Sequence, residues 1–228
     1  MKFTNKKLII FDLDGTLIDS SPDLALAVNH MLQSLNRSTH SLDTIHHWVG
    51  NGAEILVKRA LSQSTTIDPT LDEKLWRDAL KTFLAFYANN LAVKTVTYPH
   101  VHTTLTRLKK AGYTLAIVTN KPFDFVAPIL KALELEAFFE LILGGDSLSK
   151  RKPDPMPLLH VCNTLKIAPQ QSLMVGDSKN DILAGKSANI ETIGLTYGYN
   201  YGEPITIYNP NAIFDNFSDI LTLLIDGE

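Results

Sequence analysis

The chain has 228 residues, 45% of them hydrophobic, and a formal net charge of −3, so it can bury a core in one or two domains. Its lysines and arginines are scattered, which speaks against a surface for nucleic acid or another polyanion. Its apolar stretches are too short to span a bilayer. Cys162 is the only cysteine, so a disulfide framework and a thiolate metal site are excluded, and its amphipathic helical surroundings mark it as core. The first seven residues lead straight into an apolar run with no signal-peptide segment. The expectation is a cytoplasmic protein, monomeric or a small homo-oligomer, with no nucleic-acid or membrane partner.

In chain order, Leu8-Ile9-Ile10 opens a strand over about residues 7–12, which ends in Phe11-Asp12-Leu13-Asp14-Gly15-Thr16. Alternate residues of a strand point the same way, so Asp12 and Asp14 should project together, separated by Leu13. Two carboxylates so placed repel unless a cation or a shared proton compensates. Ser21-Pro22-Asp23 then reads as a helix N-cap, a proline at the first helical position and an acid in the first turn. Leu24, Val28, Met31, Leu32 and Leu35 follow at helical spacing. A second helix is expected over 42–48, broken by Gly50-Asn51-Gly52, a third from Ala53, and a fourth over about 70–90. Nothing between residues 20 and 92 reads as a strand.

From Tyr98 onward helices alternate with short apolar runs, at 114–119, 141–143, 172–177, 192–195 and 212–214. That alternation predicts an α/β fold, a doubly wound parallel sheet covered on both faces, with an all-helical insertion after the first strand. Three more polar groups fall at or just beyond strand ends: Thr119-Asn120-Lys121, Lys152-Pro153-Asp154, and Gly176-Asp177 with Ser178 and Asp181. Singly, each has a plain structural explanation. Asp and Gly form turns, Thr119 suits a strand end, Lys152 an exposed loop, and Ser178 with Asp181 a capping box. Jointly they fall on the carboxyl edge of one sheet, where open α/β folds bind ligands.

The ordered set Asp12-x-Asp14-Gly15-Thr16, Thr119, Lys152 and Gly176-Asp177-x-x-x-Asp181 resembles the haloacid dehalogenase superfamily of phosphotransferases, over essentially the whole chain. The resemblance implies a Rossmann-like core at residues 1–17 and 95–228 and a small helical cap domain at 18–94. Having both early acids favours phosphate-ester chemistry over dehalogenation. Asp12 would be the nucleophile that forms an aspartyl-phosphate, and Asp14 the general acid and base. Thr119 would bind the phosphoryl group, and Lys152 would offset charge. Magnesium would be held by Asp12, Asp177 and the main-chain carbonyl of Asp14. Asp181 would orient Lys152 or a metal-bound water without binding the ion itself.

The stretches around Asp12, Gly50-Asn51-Gly52 and Thr119-Asn120-Lys121-Pro122 are similar to bacterial phosphoglycolate phosphatases. A small phosphorylated metabolite is therefore the expected partner, with Thr16, Gly50, Asn51, Gly52, Asn120 and Lys121 as substrate-binding residues. Turn glycines permit positive φ, and main-chain N–H groups opening the next helix suit an anion. An ordinary helix–helix turn would look the same. Lys58 and Arg59 nearby read better as solvated surface charge. Alternative activities are hydrolysis of pyrophosphate or a sugar phosphate, and phosphotransfer of the phosphoglucomutase type.

Overall fold

The protein is described at residues 3–225 by a computed structural model. Strand β1 (Leu8–Phe11) is fully buried. After the loop at 12–17 come the two-residue strand β2 (Ile18–Asp19) and the helices α1 (Ser21–Ser34), α2 (Leu42–His46), α3 (Ala53–Ser62) and α4 (Glu73–Ala88). Strand β3 (Val96–Thr97) pairs antiparallel with β2, so the chain leaves and re-enters the helical insertion through one short ribbon. The remainder alternates as α5 (Val101–Lys110), β4 (Thr114–Val118), α6 (Phe123–Ala132), β5 (Leu141–Leu143), α7 (Met156–Leu165), β6 (Ser172–Gly176), α8 (Lys179–Ser187) and β7 (Glu191–Leu195). Strand β8 (Ala212–Phe214) and the short helix α9 (Leu221–Leu224) close it.

The main sheet is parallel throughout, in the order β5-β4-β1-β6-β7-β8. Strand order reverses at β1, so the crevice beyond its carboxyl end is the topological switch point. Phe11 lies level with Ile117 on one side and Val175 on the other. The loops that begin at Asp12, Thr119 and Asp177 therefore leave the sheet at nearly one height. Along β1, Ile9 and Phe11 face one apolar layer while Leu8 and Ile10 face the other, the two-residue period of a strand buried on both sides. Helices α1 to α4 pack around a core of their own, with Leu24, Val28 and Met31 of α1 against Ala79, Phe83 and Tyr87 of α4. Cys162 is buried on α7. No helix among the described residues is long and apolar enough to cross a membrane.

The start of α1 departs from the sequence expectation. Ser21 is itself helical and caps nothing, because its Oγ donates to Asp19 at 2.7 Å. Asp23 is wholly buried and accepts from the main-chain N–H groups of Lys94 and Thr95 and from the Thr95 hydroxyl, at 2.7 to 3.0 Å. The returning chain presents donors with no helical partner, and the buried carboxylate satisfies them rather than its own helix end. At α4 the capping is local, with Asp72 accepting from Leu75 N–H at 2.7 Å.

Candidate active site

At the switch point the loop after β1 places Asp12 and Asp14 against different lysines. Lys152 Nζ lies 2.9 Å from Asp12 and 2.6 Å from Asp181. Lys121 Nζ lies 2.9 Å from Asp14, whose carboxylate also accepts from Ser20 Oγ at 2.5 Å, and donates to the Tyr87 hydroxyl at 2.8 Å. Each of the two acids is paired within the protein, and Leu13 between them is buried.

Beneath Asp12, at the start of α8, Asp181 forms the expected capping box. One of its oxygens accepts from Ser178 N–H and Oγ at 3.0 and 2.8 Å, leaving the other for Lys152. Asp177 is held by the Thr16 hydroxyl at 2.6 Å and by Tyr199 N–H at 2.7 Å. Thr16 thus faces Asp177 rather than the pocket. Carboxylate oxygens of Asp12, Asp177 and Asp181 lie within 4.8 Å of one another. Burial, reinforced by Asp181 and only partly offset by Lys152, pushes Asp12 up to about 7. Burial, with Asp181 and Asp12 adding to it, also drives Asp177 well above the usual carboxylate range. For Lys152 burial works toward a lower value, but Asp12 and Asp181 outweigh it and keep the ammonium charged. With both Asp181 oxygens engaged, Asp12 and Asp177 are the buried carboxylates that offer oxygen donors to a hard divalent cation.

The pocket above Asp12 lies between the sheet edge and the helical insertion. Asp12, Asp14, Thr119, Asn120 and Lys121 line one side; Leu24, Val49, Gly50, Gly52, Ala53, Leu56, Phe83 and Tyr87 line the other. Thr119 Oγ1 accepts from Lys121 N–H at 3.2 Å, which leaves its proton free to donate into the pocket. Asn51 is not on the wall, and its buried Oδ1 has no partner among the described residues. Gly50 and Gly52 have φ of +116° and +85°, as the turn reading required. The Gly50 carbonyl accepts from Asn120 Nδ2 and Asn180 Nδ2, each at 3.1 Å, so the turn sits docked on the core.

Arg59 is not the solvated charge its sequence suggested. Half-buried, it donates to the Trp48 carbonyl at 2.8 Å and packs over the Tyr201 ring, bracing the turn. Lys58 pairs with Glu54 at 2.6 Å and lies over Trp76. Sequence reasoning missed Asn180, Tyr87 and the tyrosines of the loop after β7. The alternation Tyr197-Gly198-Tyr199-Asn200-Tyr201 was the only local signal for the last of these.

Comparison with known proteins places this arrangement. Residues 9–195 match the family of haloacid dehalogenase-like hydrolases. The chain belongs to that family. Among curated relatives of this hydrolase, a phosphoglycolate phosphatase of Colwellia psychrerythraea is 54% identical over 224 residues, covering 98% of this chain and 99% of the relative. Another, from Psychrobacter arcticus, is 50% identical over 227 residues, covering 97% of this chain and 96% of its own. A crystal structure from Haemophilus somnus, described as a predicted phosphoglycolate phosphatase, superposes with a TM-score of 0.89 at 44% identity, covering 96% of this hydrolase and 98% of its own chain.

Proposed function

We propose that this hydrolase is a magnesium-dependent, cytoplasmic phosphatase that converts 2-phosphoglycolate to glycolate and phosphate. The observation that carries this is 54% identity, end to end, to a relative named for that activity, on a chain whose Asp12, Asp14 and Thr119 line one pocket, with Lys152 paired to Asp12 and Asp181. Residues 18–94 serve as a cap over a core formed by 1–17 and 95–228. The pocket also tells against the alternatives. A mutase or a pyrophosphatase must hold a second phosphate away from the reacting one, yet Lys121 of the core is the only cation on the pocket wall among the described residues. The cap side of that wall is largely apolar, which suits one small carboxylate held by main-chain N–H groups at Gly52 and Ala53.

In the mechanism this reading gives, an Asp12 oxygen attacks phosphorus, the new O–P bond forms, and the bond to the glycolate oxygen breaks. Asp14 donates a proton to the leaving oxygen and later takes one from the water that hydrolyses the aspartyl-phosphate. Thr119 donates to a phosphoryl oxygen, and Lys152 offsets charge on Asp12 while Asp181 holds it in line. Asp12, Asp177 and the Asp14 carbonyl would hold magnesium, which when bound offsets negative charge between nucleophile and phosphate. Tyr87 and Lys121 keep Asp14 in place against the cap.

The test is a comparison of 2-phosphoglycolate with ethyl phosphate, which lacks the carboxylate. Loss of a charge-assisted hydrogen bond costs roughly 1.5–3 kcal/mol, about ten- to a hundred-fold in kcat/KM. Gly52 has φ +85°, and a Cβ there would lie 3.0 Å from the Asn120 carbonyl. Gly52→Val should therefore erase much of the preference while sparing an aryl phosphate. Equal efficiency on the two substrates, or a preference for pyrophosphate, overturns the assignment.

A further inference from the structure

The loop after β7 carries three tyrosines at alternate positions, and their phenols reach different parts of the site. Tyr197 donates to the Thr16 carbonyl at 2.8 Å, and Tyr201 accepts from Asn180 Nδ2 at 2.8 Å beside the docked turn. Tyr199, between them, touches two distant structures at once. Its main-chain N–H donates to Asp177 Oδ2 at 2.7 Å. Its hydroxyl donates to Asp19 Oδ1 at 2.6 Å and accepts from the N–H groups of Ser20 and Ser21 at 2.9 and 3.2 Å. The Tyr98 phenol lies beside it as a further hydrogen-bond partner.

The packing is equally two-sided. Tyr199 is 1% exposed, and although it belongs to the core loop its ring lies in the apolar cluster of the helical insertion. It meets the His46 ring of α2 edge-on, with centroids 4.5 Å apart. On the other side the chain is pressed onto the carboxylate, since a Cβ on Gly198 would lie 2.3 Å from Asp177 Oδ2. Asp177 is thus in direct contact with residues 198 and 199, and residue 199 is bonded to the junction between β2 and α1, where the chain enters the insertion.

We propose that Tyr199 is a positioning residue that couples the cation site at Asp177 to the hinge of the cap at residues 19–21. The inference rests on the reading of residues 18–94 as a cap, and adds that this cap moves over the substrate. A cation on Asp177 fixes the carboxylate and, through residue 199, the angle at which α1 leaves the core. Cap closure over a phosphate fixes the same angle from the other end. Coupling of this kind is reciprocal, so each event tightens the other.

The test measures magnesium affinity by titration calorimetry, with and without inorganic phosphate, which binds without turning over. In the wild-type protein phosphate should tighten magnesium binding by about five-fold or more. Tyr199→Phe keeps the ring and the N–H to Asp177 but removes three hydrogen bonds at the hinge. It should bind magnesium alone within about two-fold of wild type and lose at least half of the tightening, the remainder being the direct attraction between magnesium and phosphate. Asp19→Ala removes the phenol's acceptor from the opposite side and should act alike, which covers the case of a poorly folded Phe variant. Tyr197→Phe removes the bond to the Thr16 carbonyl, leaves the three hydrogen bonds at residues 19–21 in place and should keep the tightening. If both hinge variants lower Tm but retain the tightening, Tyr199 is only structural and the proposal fails. Equal loss in Tyr197→Phe also overturns it. Absence of tightening in the wild type removes the proposal and the moving cap together, while leaving the phosphatase chemistry standing.

Discussion

Asp12, Asp177 and Asp181 crowd three buried carboxylates around one ammonium, that of Lys152. Asp12 reaches about 7 and Asp177 is also raised, whereas unfolded carboxylates titrate near 3.9. The folded protein therefore holds more protons than the unfolded chain between roughly pH 4 and 7. Stability of the metal-free protein falls as pH rises through that window. A cation that replaces those protons reverses the slope. Magnesium should accordingly raise Tm little at pH 5 and by several degrees at pH 8, read by thermal denaturation; equal shifts at both would contradict the cluster as the cation site. The same crowding predicts opposite effects of Asp12→Asn on stability and activity. Removing one carboxylate should raise the metal-free Tm at pH 8 by a few degrees. Turnover should vanish, because an amide is a far poorer nucleophile than a carboxylate. Wild-type turnover in freshly prepared variant would end the assignment of Asp12.

At the scale of elements, the junction between sheet and insertion depends on one buried acid. Asp23 on α1 satisfies two main-chain N–H groups and a hydroxyl at residues 94 and 95. Asp23→Ala strands the N–H and hydroxyl of the buried Thr95, while the Lys94 N–H, on an exposed residue, can turn to water. The expected cost is roughly 3 kcal/mol or more, a fall in Tm of about 6–12 °C for a chain of this size. A fall under 2 °C, roughly what a surface change gives, would show that the junction is held by packing alone. Asp23 also shows where the sequence stops being legible. Strands such as Leu8–Phe11 and Ser172–Gly176 are apolar runs whose burial follows from composition, and the carboxyl-edge residues follow from where those runs end. Asp23 sits in a local pattern that explains it as a first-turn acid, so nothing nearby signals its partners some 70 residues away. Tyr199 is harder still, because its partners at Asp19 to Ser21 are about 180 residues distant and a phenol in a loop has no characteristic spacing. The short ribbon of β2 and β3, two residues each, is below the length at which alternation can be seen.

The molecule as a whole is described with the cap turn resting on the core. The Gly50 carbonyl receives one hydrogen bond from Asn120, on the loop after β4, and one from Asn180, in the first turn of α8. Both donors adjoin residues proposed for the chemistry, Thr119 and Asp181, so the turn rests on the loop after β4 and the start of α8, next to the proposed site. Two neutral hydrogen bonds are a weak latch, each worth about 0.5–1.5 kcal/mol. A latch of that strength can hold the cap shut over ligand and still release product, which is what a lid that gates turnover requires. Asn180→Ala removes one of the two bonds and frees the Tyr201 hydroxyl. It should shift the closed-to-open ratio by about two- to twelve-fold toward open, the equivalent of one such bond. Solution scattering should then show a larger radius of gyration than wild type in the metal-free protein, and magnesium with inorganic phosphate should restore the compact form. KM for 2-phosphoglycolate should rise in step with the open population, since binding draws only on the closed form. A variant as compact as wild type without ligand, and with unchanged KM, would show that the Gly50 contact does not set the position of the cap.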